Sequence, residues 1–190
     1  MLNKAPNIAI EDATRSLAST AHEIKAYKAL FNFALREDLA ERNPFQHMSA
    51  VYQSRDRVLS DDELKKLWAY ENPPFSNIVK LLILTGQRRN QIGHLREQWI
   101  GENTITFPPH IMKQGKSHTI PYGELARPLL KPYWFNAWSK AKTRLDTATG
   151  VTDWRLHDLR RTFATVHARI GTPIHVVEAL LAHPIVTGKQ

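Results

Sequence analysis

The chain has 190 residues, 42% of them hydrophobic, and a formal net charge of +8 with a sequence pI of about 9.8. This composition argues against wholesale disorder and favours a domain that binds a polyanion. The absence of cysteine excludes disulfides, cysteine-based zinc sites and thiol nucleophiles. The sequence shows neither a signal peptide nor an apolar run of membrane-spanning length, so we expect a soluble cytoplasmic protein that does not contact a membrane.

The positive charge is concentrated after residue 55. Residues 1–55 contain seven Lys or Arg against six Asp or Glu, whereas residues 56–190 contain nineteen against twelve. In the earlier part, apolar spacing predicts one or two amphipathic helices between residues 13 and 39, ended by Arg42-Asn43-Pro44. A helical pair of this size buries little surface by itself. We therefore place a domain boundary after residue 56 and expect the basic ligand-binding surface in residues 57–190.

Two helices are predicted next. Ser60 and Glu63 form a capping-box pattern at the start of the first. Residues 76–85 are apolar on nearly every side and predict a buried helix that Gly86 closes. Arg88 then lies directly behind a buried helix and a glycine turn, at a rigid edge of the core. Its position fits either a cation of a binding site or an ordinary helix-end cation that faces the helix dipole.

Two short strands, Thr104–Phe107 and residues 117–122, are predicted from their β-branched and aromatic content. Gly115 permits a tight reversal between them, which places Lys113 and Lys116 on a hairpin tip and His118 just after it. These lysines fit two interpretations. They are either solubilising charges on an exposed turn or groups that reach into a DNA groove.

Three helices are predicted toward the end of the chain. The first covers residues 134–145 with Trp134 on its inner side, and the second carries His157 and Arg160. Thr172 caps the third, and Pro173 opens it. On a helix, His157 and Arg160 project from one face about a turn apart, an arrangement that suits a phosphate. The same spacing also occurs in ordinary surface pairs on exposed helices.

The predicted elements indicate a mostly α-helical α+β fold, with a small antiparallel sheet from about residues 99–122 at one side. The nine histidines are scattered along the chain. None forms a His-x-x-x-His or Glu-x-x-His pattern that is backed by a third ligand. We therefore predict no metal site and no cofactor.

Four motifs of this chain, taken in order, resemble those of the tyrosine recombinase family, the phage and prophage integrases of mobile elements. They span roughly residues 58–184, and Glu41-Arg42-Asn43-Pro44 also resembles the end of the family's core-binding domain. The resemblance implies the helical end of that domain plus a linker in residues 1–56, and the family's catalytic fold in residues 57–190. The motifs are Thr85-Gly86-Gln87-Arg88, Met112-Lys113-Gln114-Gly115-Lys116-Ser117-His118-Thr119-Ile120-Pro121, His157-Asp158-Leu159-Arg160-Arg161-Thr162-Phe163 and Leu180-Leu181-Ala182-His183.

The resemblance implies metal-free DNA recombination or integration, in which a tyrosine attacks a DNA phosphate, releases a 5′-hydroxyl and leaves a 3′-phosphotyrosine. Arg88 and Arg160 would clamp the phosphoryl oxygens. Lys113 would protonate the leaving oxygen as the general acid. His157 would assist proton transfer at the nucleophile, and His183 would donate a hydrogen bond to a non-bridging oxygen. The candidates for flanking DNA contacts are Arg89, Lys116, His118 and Arg161, of which Arg161 fits equally a pair with Asp158 or another carboxylate.

The sequence departs from the family pattern at two places. Gln91 occupies a position that is often acidic, so we expect the orientation of Arg88 to differ somewhat. The resemblance places the nucleophile two to three helical turns after His183. All five tyrosines precede that residue: Tyr27, Tyr52, Tyr70, Tyr122 and Tyr133. We therefore expect a fragment that binds double-stranded DNA as a monomer without covalent cleavage, whereas family members act as tetramers.

Two other functions stay open. The first is a natural DNA-binding or regulatory protein on a recombinase scaffold that never had the tyrosine. The second is a metal-independent phosphoesterase with His157 as nucleophile, which leaves the lysine hairpin without a role.

Overall fold

The computed structural model describes residues 17–49 and 55–183. The chain divides after Arg55 into two compact units. Among the described residues, no helix has the length and apolar character needed to cross a membrane. Tyr52 and the first residues of the predicted N-terminal helix lie outside the described residues.

In its described part, the first unit consists of helix α1 (Leu17–Arg36) and irregular backbone. The helix ends earlier than predicted, before Asp38, whose φ of 54° lies in the left-handed region. Asn43 then organises the following segment. Its Nδ2 donates to Asn32 Oδ1 at 2.8 Å, and its Oδ1 accepts the backbone N–H of Phe45 at 2.9 Å. The segment Arg42-Asn43-Pro44, which was predicted to end the helix, therefore follows its actual end and folds back against it through Asn43.

The second unit is built around a buried central helix. This helix, α3, packs against both α2 and α6, and its residues Ile78, Val79 and Leu81 have no exposed surface. The predicted buried helix is thus confirmed. The α-helices that the structure describes in this unit are α2 (Asp61–Ala69), α3 (Phe75–Thr85), α4 (Arg89–Gly93), α5 (Trp138–Thr149), α6 (Leu156–Arg169) and α7 (Ile174–Leu180).

Local signals define the start of α2 and the end of α3. Ser60 Oγ accepts the backbone N–H of Glu63 at 3.2 Å, and Glu63 Oε2 accepts that of Ser60 at 2.8 Å, which confirms the capping box. Gly86 ends α3 with a φ of 64°. A Cβ atom on Gly86 would lie 2.7 Å from the Phe163 ring and 2.8 Å from the Leu181 side chain. Glycine is therefore required here both by the backbone and by the close approach of α6 and α7.

The sheet consists of two antiparallel strands in the described residues, β1 (Thr104–Phe107) and β2 (His118–Pro121). Ile105 faces Ile120 in the register, and both side chains are buried. The mostly helical α+β fold with a small antiparallel sheet is confirmed.

Two predicted helix starts are wrong. Helix α5 begins at Trp138, and Trp134 precedes it with 74% of its surface exposed instead of facing inward. The neighbours of Trp134 keep this segment out of a helix, because the N–H groups of Tyr133 and Phe135 donate to the carbonyls of residues 95 and 93. Thr172 does not cap α7. Its hydroxyl pairs instead with Nδ1 of His167 at 3.0 Å.

Candidate active site

Three segments that are distant in sequence meet around a cavity of about 620 Å³ in the second unit. They are the turn after α3 with the start of α4, the loop between the two strands, and the beginning of α6. Arg88, Arg89, Lys113 and His157 therefore line one space. The full lining comprises residues 87–91, 110–113 and 155–157.

Arg88 immediately precedes α4, and Gln91 braces its backbone. Gln91 Oε1 accepts the N–H of Arg88 at 2.8 Å, while Gln91 Nε2 donates to the sulfur of Met112 at 2.9 Å. Gln91 is buried, so its amide links the arginine turn to the lysine-bearing loop. The residue at the position that is often acidic thus holds the main chain of Arg88 and carries no charge.

Arg160 is the most buried cation of the site, with only 4% of its surface exposed. Its Nη1 donates to the Gly86 carbonyl at 3.0 Å, and its Nη2 donates to the Leu181 carbonyl. Burial and the nearby charge of Arg88 lower the pKa of Arg160 to about 10. The guanidinium therefore stays charged at neutral pH. Two of its five N–H groups donate to backbone carbonyls, and the other three can donate to a bound anion.

Three imidazoles lie within the field of these two arginines. Loss of hydration is the first cause that lowers the pKa of His118, His157 and His183. The positive charges of Arg160 and Arg88 lower the pKa of each ring further. His157 and Arg160 share α6, as predicted. Together with Arg88, His118 and His183, which come from the other three motifs, they form one electropositive region.

The two lysines of the loop between β1 and β2 differ in position, because Lys113 lines the cavity and Lys116 does not. Lys113 lies in the turn closed by the Gly115 N–H and the Met112 carbonyl, and it lines the cavity. Lys116 follows that turn in an exposed position and does not line the cavity. His118 Nε2 donates to the Leu180 carbonyl at 2.9 Å. In its neutral form His118 then offers only an acceptor, Nδ1, and it can donate to a phosphate only when protonated.

The remaining flanking candidates have separate surroundings. The Arg89 guanidinium lies 5.6 Å from the centre of the Trp138 ring, in a cation–π contact at the cavity edge. Arg161 is half-buried, and its charge acts on His157. Asp158 Oδ2 accepts the backbone N–H of Arg155 at 2.8 Å and so caps α6.

None of the described tyrosines lines the cavity. Tyr122 donates its hydroxyl to the carbonyls of residues 101 and 102, and Tyr133 donates to that of Leu129 at 2.6 Å. Burial raises the pKa of Tyr133. Within residues 17–49 and 55–183, no group of three or more His, Asp or Glu side chains is placed to hold a metal ion.

Known proteins show the same fold and related sequences. Tyrosine recombinase XerC of Bacillus pumilus is 26% identical over 88% of this chain and 67% of its own length. The integrase of Salmonella phage P22 is 24% identical over 87% of this chain and 51% of its own. A lambda integrase dimer bound to a COC′ core site superimposes with a TM-score of 0.71, at 18% identity, over 90% of this chain and 57% of that one. No protein-family model matches the chain.

The chain is thus similar in sequence to tyrosine recombinases and phage integrases, and it shares the fold of a solved lambda integrase. It spans about two thirds of the XerC relative and about half of the phage integrase. The similarity is therefore not limited to the four motifs, because the fold as a whole also matches that of a solved integrase.

Reasoning from the recombinase motifs missed two glutamines. Gln87, between Gly86 and Arg88, is 3% exposed, and its Nε2 donates to the carbonyls of Thr85 and Leu180, both at 2.9 Å. Gln114 of the lysine turn donates to the Ala182 carbonyl at 3.1 Å. Their position inside two motifs was visible in the sequence. Their hydrogen-bond partners lie 93 and 68 residues away in the sequence, so no local sequence pattern predicts these bonds.

Proposed function

We propose that this chain binds double-stranded DNA and holds one phosphate between Arg88 and Arg160. The observation that carries the proposal is the pair itself. Arg160 is almost fully buried beside a second arginine, and no carboxylate of the described residues is among the influences on its pKa. A phosphate placed between the two guanidinium groups would relieve their repulsion and accept their remaining hydrogen bonds.

The same geometry supports roles for the other residues around the phosphate. Lys113 reaches the cavity from the strand connection and is the proposed general acid for the leaving 5′-oxygen. His157 enters from α6 as the proton-transfer group beside the nucleophile. His183 donates a hydrogen bond to a non-bridging oxygen. Arg89 and Arg161, with Lys116 and protonated His118, contact flanking phosphates.

In the full-length protein, this site carries out site-specific recombination through a 3′-phosphotyrosine. A polypeptide with only these 190 residues has no tyrosine after His183. It therefore binds DNA as a monomer and does not form the covalent intermediate. Self-association on DNA belongs to the full-length protein in this proposal, in keeping with the lambda integrase dimer on its core site.

The test measures binding of a fluorescently labelled duplex by anisotropy at several salt concentrations. Affinity should fall steeply with salt, since several phosphates release counterions. Arg88→Gln and Arg160→Gln should each weaken binding more than Arg169→Gln, which removes the same charge at the far end of α6. Arg169 is exposed and pairs with Asp61. Equal effects of the three substitutions would refute the phosphate clamp.

A nicked suicide duplex tests the chemistry. The 190-residue polypeptide should give no denaturation-resistant adduct, whereas a longer polypeptide from the parent gene that contains the next helix should give one. An adduct formed by the 190 residues alone would refute the proposed source of the nucleophile.

Because none of the described tyrosines lines the cavity, a non-catalytic DNA-binding protein on the same scaffold is the alternative. It predicts DNA binding without an adduct for the 190 residues and for the longest natural product of the gene.

A further inference from the structure

The end of α7 is held by side chains from three other parts of the second unit. The last carbonyls of a helix lack partners within the helix, and here consecutive carbonyls find them elsewhere. The donors come from the turn before Arg88, from the strand connection and β2, and from α6. The bonds are Gln87 Nε2 and His118 Nε2 to Leu180 O, Arg160 Nη2 to Leu181 O, and Gln114 Nε2 to Ala182 O.

Gln87 has the most constrained position among these donors. Its amide nitrogen faces two carbonyl oxygens, so the assignment of nitrogen and oxygen in the amide follows from its partners. Its Oε1 is buried, and no described residue donates to it. An unpaired buried acceptor weakens the fold. The side chain is thus poorly suited to a purely stabilising role and well suited to joining two backbone segments.

We propose that Gln87 is a positioning residue of the phosphate clamp. Its amide ties the turn that presents Arg88 to the end of α7 that presents His183, and it thereby sets the spacing between these two groups. The inference rests on the proposed function, because the phosphate is the ligand that this spacing serves. Gln87 itself acts through Arg88 and His183 and does not contact the DNA.

The substitution Gln87→Met separates positioning from stability. Methionine has a similar length and cannot bridge the Thr85 and Leu180 carbonyls, but it also removes the unpaired Oε1. The fold should therefore retain most of its stability while the end of α7 loosens. Urea unfolding monitored by circular dichroism reports the stability of the variant and of the unaltered protein.

The first readout needs no DNA. Nuclear magnetic resonance titration of the histidine rings should show the pKa of His183 moving up toward its ordinary value in Gln87→Met, because the ring becomes better hydrated and moves away from Arg160 and Arg88. The pKa of His118 should fall or move less, because its hydrogen bond to the Leu180 carbonyl raises that pKa and weakens as the end of α7 loosens. His157 lies on α6 and should keep its value, so it serves as an internal reference. Equal movement of the three rings, or none, would overturn the proposal.

The second readout is affinity for the labelled duplex. Gln87→Met should bind about threefold to tenfold more weakly, as expected for the loss of one or two hydrogen bonds. The salt dependence should stay unchanged, since the substitution is neutral and the number of phosphate contacts is the same. An unchanged affinity alongside a displaced His183 would show that the link does not set the clamp and would overturn the proposal.

A second variant protects the test against misfolding. Gln114 is exposed, so Gln114→Met removes only the bond to the Ala182 carbonyl and leaves the core intact. Its effect on His183 should have the same direction as that of Gln87→Met and be smaller, because water can replace an exposed donor. If Gln87→Met does not fold, an unmoved His183 in Gln114→Met overturns the proposal. If the unaltered protein binds no DNA, the proposed function fails, while the histidine titration still reports on the link itself.

Discussion

Arg160 donates a hydrogen bond from Nη1 to the backbone carbonyl of Gly86 at 3.0 Å, across 74 residues of sequence. Gly86 is the residue that turns the chain from α3 toward Arg88. One arginine of the proposed clamp therefore fixes the turn from which the other arginine starts. Its second terminal nitrogen holds the Leu181 carbonyl near His183, so a single buried guanidinium organises three of the converging motifs.

Arg160→Lys should damage both fold and binding although it keeps the charge. A lysine carries one nitrogen and cannot reach the Gly86 and Leu181 carbonyls in the planar arrangement of a guanidinium. We expect a loss of about 1–3 kcal/mol in the free energy of unfolding, as for a buried group left unsatisfied, together with weaker DNA binding. Urea unfolding and anisotropy measure the two effects. Arg161→Lys, one residue along the same helix and half-buried, should change stability by less, and an equal loss there would contradict this explanation.

Gly86→Ala should be among the most destabilising single substitutions in the second unit. The added Cβ would meet Phe163 and Leu181 at under 3 Å, in a backbone conformation with a φ of 64°. We expect a loss of about 2–5 kcal/mol, the sum of overpacking and left-handed backbone strain.

Gly115→Ala is the matched control for this substitution. Gly115 has the same φ of 64°, but nothing lies within 4 Å of its Cβ position. It should lose only the backbone part, about 1–2 kcal/mol. Chemical denaturation compares the two variants, and a Gly115→Ala loss as large as that of Gly86→Ala would exclude the steric contribution.

Ala182→Gly should stabilise the protein. Ala182 has a φ of 49° at the end of α7. The N–H groups of Ala182 and His183 donate to the carbonyls of residues 179 and 178, in the pattern of a Schellman motif. Glycine normally occupies this left-handed position, and we expect a gain of about 0.5–1 kcal/mol.

Ala179→Gly is the control in the same helix, and it should lower the free energy of unfolding instead of raising it. It lies inside α7 and is exposed, so the substitution should cost about 1 kcal/mol. Thermal unfolding should therefore move the Tm of the two variants in opposite directions, and a shift in the same direction would argue against strain at Ala182.

Stability should decrease as the pH falls below neutrality. The folded-state pKa values of His118, His157 and His183 are lowered, so near pH 6 the unfolded chain binds more protons than the folded one. The contribution of these rings is fully present above their unfolded pKa of about 6.5 and is lost as the pH falls through that value toward the folded ones. Urea unfolding at pH 7.5 and 5.5 measures the change.

His118→Gln is the control for that pH dependence. A glutamine can still donate to the Leu180 carbonyl but does not titrate, so the loss of stability between pH 7.5 and 5.5 should become smaller. The lowered pKa values of Asp61 and Glu63 affect stability only at lower pH, because a depressed carboxyl pKa contributes stability that is lost below its ordinary value.

DNA binding should be accompanied by proton uptake. A phosphate beside the same three rings favours their charged form and raises the pKa of each toward or above its ordinary value. Affinity should therefore increase from pH 8 to pH 6, even though the free protein becomes less stable. Anisotropy titrations at constant ionic strength measure this change in DNA affinity with pH. His157→Gln and His183→Asn should each reduce the pH dependence, and an unchanged dependence in both would place the linked protons elsewhere.

Several features of the protein could be predicted from neighbouring residues alone. The capping box of Ser60 and Glu63, the glycine end of α3 and the two strands each depend on residues a few positions apart. The shared helix face of His157 and Arg160 also follows from a helical repeat, and the order of four motifs was sufficient to indicate the similarity to tyrosine recombinases. Trp134 shows where this reasoning fails, because backbone bonds to residues 93 and 95 override its helical spacing.

Only the tertiary structure decided which groups hold the site together. Gln87, His118 and Arg160 reach the end of α7 or the Gly86 turn across 93, 62 and 74 residues. Such partners depend on how α3, α6 and α7 pack, and no periodicity encodes them. The sequence by itself determined which charged residues are available for a phosphate and on which elements they lie. The packing of these helices decided that Arg160 and Gln87 satisfy distant carbonyls, because a buried helix end must find its hydrogen-bond donors from whichever elements surround it.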